Sequence, residues 1–226
     1  ELLKSLGESG ISLLLTSPTG RPIARLVSAK LGGTAENRIE QYKSIKDERS
    51  SEIGKTIITG KMRNQISNLR YYSKSRRMNE PESRILYQLS EKIKEKLEGL
   101  KVEEFHEIEE ARRKILAYEG EAANIYWEGM KLVFSKWNFR GRERKSSDPV
   151  NICLNVCYNL LSGQIWKYAL TFGLDPFLGY IHVERPGRLS LIYDLMEPYR
   201  PMVDRFVASF LKGMRREDFS NRTKSR

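Results

Sequence analysis

One histidine and three carboxylates occupy positions where this sequence would otherwise place apolar side chains. His182 follows the apolar segment FLGYI, and Asp194 and Glu197 interrupt the apolar run that comes after it. Glu119 lies on the apolar face of an earlier segment with helical periodicity. A charged carboxylate in apolar surroundings is costly unless it is paired or bound to a metal ion. These four residues are therefore the first candidates for chemistry.

This combination of side chains suits a divalent metal ion. Carboxylate oxygens are the ligands that Mg²⁺ prefers, whereas an imidazole shifts the preference toward Mn²⁺ or another transition metal. Such an ion can polarise a phosphoryl oxygen and activate an attacking oxygen. In a basic protein the combination indicates phosphodiester chemistry, with Mn²⁺ or Mg²⁺ as the cofactor.

Each of these residues also has a structural interpretation, which the spacing alone leaves open. His182 could be hydrogen-bonded to its charged neighbours without binding a metal. Glu119 could pair with a basic residue such as Arg112 or Lys131. The two carboxylates of the final helix could be first-turn residues that the helix dipole favours. Gly120, beside the first carboxylate, would let another backbone or a ligand come close.

The elements that must position these residues are mostly helices, because most of the chain has a 3.6-residue apolar periodicity. The predicted helices of the first part of the chain cover residues 34–48, 51–75, 81–98 and 103–136. A basic loop at 140–151 then leads into a helix that Asp148 caps and Pro149 begins. This helix should run to about Leu170 and stop at Gly173.

The last predicted helix covers about 190–212 and carries two of the candidate carboxylates. Pro198 and Pro201 should kink or split it, because proline cannot donate the helical hydrogen bond. Breaks between the earlier helices are predicted at 78–83 and 97–101. The residues of the last helix that are predicted to face a core are Leu191, Leu195, Met196, Phe206 and Phe210.

The only convincing β-structure is a hairpin at about 10–28. The segments ISLLLTS and RPIARLVS are predicted strands, and Pro18 and Gly20 supply the turn between them. An isolated hairpin is only marginally stable, so we expect this one to belong to a larger sheet. The predicted fold class is mainly α, with one β-hairpin.

The charge of the chain favours an anionic partner. Its 226 residues include 40 Lys and Arg against 29 Asp and Glu, a net charge of +11, which suits nucleic acid or an acidic membrane surface. The segment KMRNQISNLRYYSKSRR (61–77) is cationic, and its Tyr71 and Tyr72 could stack on splayed bases. Its predicted DNA contacts are Lys61, Arg63, Arg70, Arg76 and Arg77. A solvated helix face is an equally open interpretation of the same segment.

The two cysteines indicate a reducing compartment, and the hydropathy of the chain indicates a protein without a membrane span. Cys153 and Cys157 lie four residues apart on one predicted helix, a spacing with poor disulfide geometry. Two core thiols in a reducing cytoplasm are the simpler interpretation. The sequence has no apolar run of transmembrane length and no visible signal peptide, so we expect a cytoplasmic protein without a membrane span.

Several segments together resemble a known family. The segment GLDPFLGYIHVERPGRLSLIYDLMEPYRPMVDR (173–205) closely resembles the signature of the CRISPR-associated spacer-acquisition integrases. The segment YEGEAANIYW (118–127) resembles the first metal-ligand segment of that family, and GRERKSSDPVNICLNVCYNLL (141–161) resembles its central segment. The match is weaker at GKMRNQISNL (60–69) and at the hairpin.

The resemblance implies a domain organisation and an activity. Residues 1–33 would be the end of an N-terminal β domain, and residues 34–226 would be the α-helical catalytic domain. Most of the β domain and the usual C-terminal stretch are expected to lie outside this sequence. The family consists of metal-dependent DNA endonucleases and integrases, which insert new spacers into CRISPR arrays by phosphodiester transesterification. Its members act on double-stranded and branched DNA as homodimers, together with a small second CRISPR-associated protein.

The resemblance also implies residue roles. Glu119, His182 and Glu197 would be the metal ligands, the last at a position that is Asp or Glu in the family. Asp194 would be a nearby catalytic carboxylate that supports the site, and Tyr193 would be an aromatic residue lining it. The predicted DNA contacts around the histidine are Arg185, Arg188 and Tyr193.

Two alternatives to a spacer integrase stay open on the sequence. The casposases, close relatives that insert whole transposons, use the same fold and the same ligand types. A DNA-binding scaffold without activity is the other alternative. A complete ligand set favours an enzyme over the scaffold, because a degenerate homologue would be expected to lose a ligand.

Overall fold

The computed structural model describes residues 1–18, 22–27, 29, 35–75, 79–183, 186–215, 217 and 219. Within these residues it contains eight α-helices and one two-stranded antiparallel hairpin, which confirms the predicted fold class. The elements are α1 (Leu2–Glu8), β1 (Leu13–Thr16), β2 (Pro22–Leu26), α2 (Ala35–Ile45), α3 (Arg49–Ser73), α4 (Glu80–Val102), α5 (Ile108–Val133), α6 (Pro149–Thr171), α7 (Ser190–Met196) and α8 (Arg200–Lys212).

The hairpin pairs Leu13 with Leu26 and Leu15 with Ala24, with an irregularity after Leu15. Leu15 and Ile23 are both more than half exposed. The two strands therefore bury little apolar surface. That the hairpin belongs to a larger sheet stays a prediction.

The contacts divide the chain into two compact units. The first consists of Glu1–Ile58, Glu104–Leu116 and Tyr158–Glu197, and the second of Thr59–Glu103, Ala117–Cys157 and Pro198–Arg226. Each unit therefore combines three separate stretches of the sequence. The predicted boundary near residue 33 between a β domain and a helical domain stays a prediction.

Helix ends follow the local chemistry of the sequence. The Asn79 side chain accepts the Glu82 backbone N–H at 2.9 Å, and the Glu82 carboxylate accepts the Asn79 N–H, so α4 begins with a capping box. The Asp148 carboxylate accepts the Asn151 N–H at 3.0 Å, which confirms the predicted cap of α6. Gly173, at φ +73°, follows the end of α6, as predicted.

The predicted break at 97–101 is wrong, because α4 continues to Val102. A Cβ on Gly99 would lie 3.2 Å from the Tyr118 ring. This glycine allows the close approach of a tyrosine and does not end the helix.

The prolines split the last helix as predicted. A 3₁₀ turn at Glu197–Tyr199 separates α7 from α8. The prediction that Phe206 and Phe210 face a core is wrong, since both are about half exposed and stack on each other. An acidic residue lies on the buried face of α8, so apolar character alone did not identify the residues that form this face. These are Pro201, Asp204, Val207 and Leu211.

The helices of the described part of the chain include none that is both long and apolar enough to cross a membrane. The two cysteines are free, half-buried thiols. Burial raises the pKa of Cys153 to about 11, so this thiol stays protonated and unreactive at neutral pH.

Candidate functional site

The carboxylate of Asp194 organises the loop that carries His182. Asp194 is fully buried on α7. It accepts three successive backbone N–H groups, those of Tyr180 at 2.6 Å, Ile181 at 3.0 Å and His182 at 3.1 Å. Three such bonds satisfy a buried carboxylate and fix the path of the loop at the same time.

The same carboxylate also orients the imidazole. His182 Nδ1 lies 2.6 Å from Asp194 Oδ1. An ionised carboxylate only accepts hydrogen bonds, so Nδ1 carries the proton in this pair, and in a neutral imidazole the lone pair is then on Nε2. The imidazole is about one quarter exposed. A histidine held in this way by a carboxylate is the usual form of a metal ligand in proteins.

Arg112, on α5, binds the carbonyl groups of the same loop. Its Nε donates to the Tyr180 carbonyl at 3.0 Å and its Nη2 donates to the Gly179 carbonyl at 3.1 Å. Asp194 and Arg112 therefore hold the N–H and C=O groups of one short segment. The guanidinium also pairs with Glu109 at 3.2 Å.

Gly179 makes the close packing of this loop possible. A Cβ built on it would lie 2.8 Å from Asp194 Oδ2 and 2.8 Å from the Ser190 Cβ. Real side chains do not tolerate such distances, so only glycine fits without displacing the carboxylate. Gly179 is not among the site residues predicted from the sequence, although a glycine three residues before a candidate ligand is a visible signal.

Gln41, on α2, fixes the beginning of the loop. Its Nε2 donates to the carbonyl groups of Asp175 at 3.0 Å and Leu178 at 3.1 Å, and its Oε1 accepts the Asp175 N–H at 2.7 Å. The buried Ser44 hydroxyl lies 2.8 Å from the Tyr180 hydroxyl. Neither residue stands out in the sequence, because their partners lie more than 130 residues away.

Tyr193 lies near both the histidine and a predicted DNA contact. Its ring centroid is 6.3 Å from that of His182, and the Arg188 guanidinium lies 5.9 Å from the same ring. The structure thus brings His182, Tyr193, Asp194 and Arg188 together within the first unit. The predicted contact Arg185 lies outside the described residues.

Glu119, in the second unit, is held in a different way. Its carboxylate contacts the ammonium of Lys61 on α3, and Lys61 is buried. The sequence alternative in which Glu119 pairs with a basic residue is confirmed with Lys61 as the partner, whereas Lys131 binds Glu128 at 2.6 Å. Lys61, a predicted DNA contact, therefore lies against a candidate ligand. A Cβ on the neighbouring Gly120 would meet nothing within 4 Å, so space is open beside this part of α5.

The face of α3 that carries Lys61 is polar. Its amide side chains donate to backbone carbonyl groups of the residues between α7 and α8 and of the first turn of α8. Asn64 Nδ2 donates to the Pro198 carbonyl at 2.8 Å. Asn68 Nδ2 donates to the Pro201 carbonyl at 2.6 Å and to the Tyr126 hydroxyl at 3.0 Å. These amides fix the residues that follow Glu197, which is itself buried.

The donor chemistry of the three predicted ligands fits Mn²⁺ or Mg²⁺, since it combines two carboxylates with an imidazole whose Nε2 is available. His182 and Glu197 belong to the first unit and Glu119 to the second. Within the described residues, no three His, Cys, Asp or Glu side chains form a ready-made metal cluster.

A basic groove runs along the second unit. Its described lining includes six cations and one acid: Arg63, Arg70, Lys74, Lys94, Lys101, Arg205 and Glu98. Two of the predicted DNA contacts, Arg63 and Arg70, lie there, although the latter also pairs with Glu91 at 2.5 Å. Arg76 and Arg77 lie outside the described residues.

Solved structures share this mainly helical fold. A casposase bound to integration product matches 96% of this chain and 58% of its own, with a TM-score of 0.76 and 23% identity. A Cas6-RT-Cas1–Cas2 complex matches 95% of this chain and 23% of its own, with a TM-score of 0.74 and 21% identity. At these identities the likeness concerns the fold alone.

Sequence similarity gives the family. The family model described as CRISPR associated protein Cas1 matches residues 1–225, and the chain belongs to this family. A protein of Korarchaeum cryptofilum named CRISPR-associated endonuclease Cas1 is 60% identical over 98% of this chain and 67% of its own length. The chain spans 55% to 67% of the length of four curated relatives. The family predicted from the sequence is thereby confirmed.

Proposed function

We propose that this chain carries the catalytic part of a divalent-metal-dependent DNA integrase that inserts new spacers into a CRISPR array. The observation that carries the proposal is the His182–Asp194 pair, which presents an imidazole nitrogen in the manner of a metal ligand. It occurs in a member of the Cas1 family whose relatives are named endonucleases. The proposal agrees with the enzyme class that the sequence predicts.

The proposed metal ligands are Glu119, His182 and Glu197, with Mn²⁺ or Mg²⁺ as the ion. When bound, the ion would supply charge stabilisation at the scissile phosphate and help to activate the attacking oxygen. Asp194 acts through His182, because it fixes the tautomer and the orientation of the ring. Arg112 acts one step further away, because it holds the carbonyl groups of the same loop.

The proposed reaction exchanges one phosphodiester for another. A DNA 3′-hydroxyl attacks a target phosphate, and a new P–O bond forms while the bond to the target 3′-oxygen breaks. The attacking hydroxyl loses a proton and the leaving oxygen gains one. The two diesters have similar energies, so the reaction needs no nucleotide cofactor.

The proposed DNA contacts come from both units. In the first unit these are Arg188 and the neighbouring Tyr193, and Arg185 is proposed on the family resemblance alone. In the second unit the groove supplies Arg63 and its cationic neighbours, whereas Lys61 is engaged with Glu119. Counterion release makes such binding strongly dependent on salt, so affinity should fall steeply between low and physiological salt.

We also propose a homodimer and a small second CRISPR-associated protein as partners. The support for the second partner is the solved complex of a related Cas1 protein with Cas2. Light scattering of the full-length protein, alone and with the protein encoded by a small neighbouring gene, tests both. A monomer under all conditions would contradict the dimer.

The test of the function is a strand-transfer assay. A labelled duplex with a free 3′-hydroxyl is incubated with a supercoiled plasmid, in Mn²⁺ or in EDTA. Glu119→Ala and His182→Ala should each reduce transfer by about 10²-fold or more, while DNA binding changes little. Glu121→Ala is the matched control, because Glu121 is an exposed carboxylate two residues from Glu119 that pairs with Lys96.

Transfer that survives in EDTA or in both ligand variants would contradict the metal site. DNA binding without any transfer would favour a scaffold. A casposase-type integrase is the second candidate, favoured by the fold match to a casposase. Donor ends with terminal inverted repeats, compared with short spacer-like donors and a repeat-array target, separate these two integrases.

A further inference from the structure

The second unit contains a cavity that the proposed chemistry does not use. It has a volume of about 510 Å³ and lies among the ends of α3 and α5, the turn after α5, and α8. Its lining includes four aromatic residues and three cations: Tyr71, Tyr72, Phe134, Trp137, Lys136, Arg205 and Lys212. Glu82 is the one carboxylate in the described lining. Aromatic rings and cations together suit a ligand with a flat ring and a phosphate.

This cavity adjoins the basic groove. The groove has a volume of about 630 Å³, and it shares Tyr71 and Arg205 with the cavity. The Arg205 guanidinium lies 3.6 Å from the centroid of the Tyr71 ring. The floor of the groove includes Ile66 and Leu97, which are both buried. A chain-like ligand could therefore follow the groove and enter the cavity beside the Tyr71–Arg205 stack.

Much of the positive charge along this path is available to a ligand. Arg63, Lys74, Lys94 and Lys212 are exposed and form no salt bridge within the described part of the chain. A row of exposed cations outside salt bridges suits a polyanion. A free mononucleotide would need only the cavity, whereas a DNA strand would use the groove as well.

Tyr72 gives the cavity a neutral hydrogen-bond donor. Burial raises the pKa of Tyr72 to about 12, so its hydroxyl keeps its proton at neutral pH. The ring contacts that of Tyr71 edge to face, with centroids 5.1 Å apart. The pair thus offers both ring surface and an O–H group to a nucleotide.

We infer that this cavity receives one unpaired nucleotide of a DNA strand whose phosphates follow the basic groove. The base would contact Tyr71 and Tyr72, and the adjacent phosphates would bind Lys136 and Lys212. A cavity of about 500 Å³ is in the range of sites for one small ligand, so it suits a single nucleotide and not a duplex. The inference rests on the proposed DNA-binding function and adds a subsite to it.

Fluorescence anisotropy in EDTA tests the inference without catalysis. The two probes are a duplex with an unpaired extension and the same duplex whose extension is abasic, which keeps the phosphates but lacks the rings. The full-length wild-type protein should prefer the extension with bases by about tenfold, the effect of one stacked base. Tyr72→Leu should abolish this preference, and Tyr72→Phe should restore most of it.

Charge variants distinguish binding in the cavity from general electrostatic attraction to DNA. Lys212→Gln should weaken binding of the extended duplexes about threefold to tenfold and leave a blunt duplex nearly unchanged. Lys92→Gln is the matched control, because this exposed lysine of α4 lines neither the cavity nor the groove. Equal loss of blunt and extended DNA in Lys212→Gln would overturn the inference, as would equal affinity of the wild type for both extensions.

Crosslinking keeps the inference falsifiable if a variant fails to fold. A 5-iodouracil in the extension should crosslink to Tyr71 or Tyr72 of the wild-type protein, as identified by peptide mass spectrometry. Crosslinks confined to other regions would overturn it. Active strand transfer without any preference for bases would remove this subsite alone, whereas absence of all DNA binding would remove the proposed function too.

Discussion

The loop of His182 and the helix segment of Glu119 carry two of the proposed ligands, and they hold them in opposite ways. Around His182, backbone N–H groups bind Asp194 and backbone carbonyl groups bind Arg112. Glu119 contacts one buried ammonium, that of Lys61, beside an open space at Gly120. The histidine is fixed by the hydrogen bonds of its own loop. The Glu119 carboxylate is held by one ammonium, which water or an ion can replace.

This difference predicts different responses to mutation. A fully buried carboxylate that accepts several N–H groups is part of the fold, because each donor left without an acceptor costs free energy. A carboxylate that is about one fifth exposed can exchange its partner for water or for an ion. The histidine loop should therefore respond to substitution through stability, and the Glu119 segment mainly through activity.

The largest expected effect follows removal of the Asp194 carboxylate. Asp194→Ala leaves three backbone N–H groups and His182 Nδ1 without their acceptor, and each costs about 1–3 kcal/mol. Because these losses are not additive, we expect the free energy of unfolding to fall by about 4 kcal/mol. Urea denaturation measures it, with Glu121→Ala as a surface control near zero. A urea midpoint of Asp194→Ala equal to that of the wild type would contradict the structural role of the His182 loop.

A glycine pair sharpens the comparison. Gly179→Ala puts a Cβ 2.8 Å from Asp194 Oδ2, so we expect a loss of about 1–3 kcal/mol in the free energy of unfolding. Gly120→Ala meets nothing within 4 Å and should stabilise α5 by about 0.5–1 kcal/mol. Thermal denaturation of both variants should give shifts of opposite sign. Two shifts of the same sign would contradict the packing difference.

Glu119→Gln should separate activity from stability. The amide keeps the size of the side chain and its oxygen can still accept a hydrogen bond from the buried Lys61, so we expect the free energy of unfolding to fall by about 1–2 kcal/mol, less than for Asp194→Ala. Strand transfer should nevertheless fall by about 10²-fold. Urea denaturation and the transfer assay on one preparation give both numbers. A loss of stability as large as that of Asp194→Ala would show that Glu119 is a structural residue.

The smallest expected effect on stability is that of Lys61→Met. The methionine retains most of the apolar stem of the lysine, and the exposed side of Glu119 can be hydrated. The free energy of unfolding should therefore change by less than about 1 kcal/mol. Because the ammonium no longer competes for the carboxylate, Mn²⁺ should bind a few-fold more tightly, on the order of 1 kcal/mol. Electron paramagnetic resonance of free Mn²⁺ measures this affinity. Weaker binding in the variant would mean that Lys61 positions Glu119 for the ion.

Much of the fold could be predicted from the sequence because its signals are local. Asp148 caps α6 and Gly173 follows its end as expected, and the prolines split the last helix. Periodicity, caps and proline act within one or two helical turns, so they are readable without knowledge of the neighbours. The prediction for Phe206 was wrong because the buried face of α8 includes the charged Asp204, so apolar character alone did not mark that face.

The sequence by itself determined the helical class, most helix ends, the family and the short list of chemical residues around His182, Glu119 and Glu197. Only the tertiary structure decided which side chains hold them. Lys61 lies 58 residues from Glu119, and Gln41 lies more than 130 residues from the loop it binds. The reason is physical: a buried polar group must find a partner, but periodicity does not say which helix will supply it.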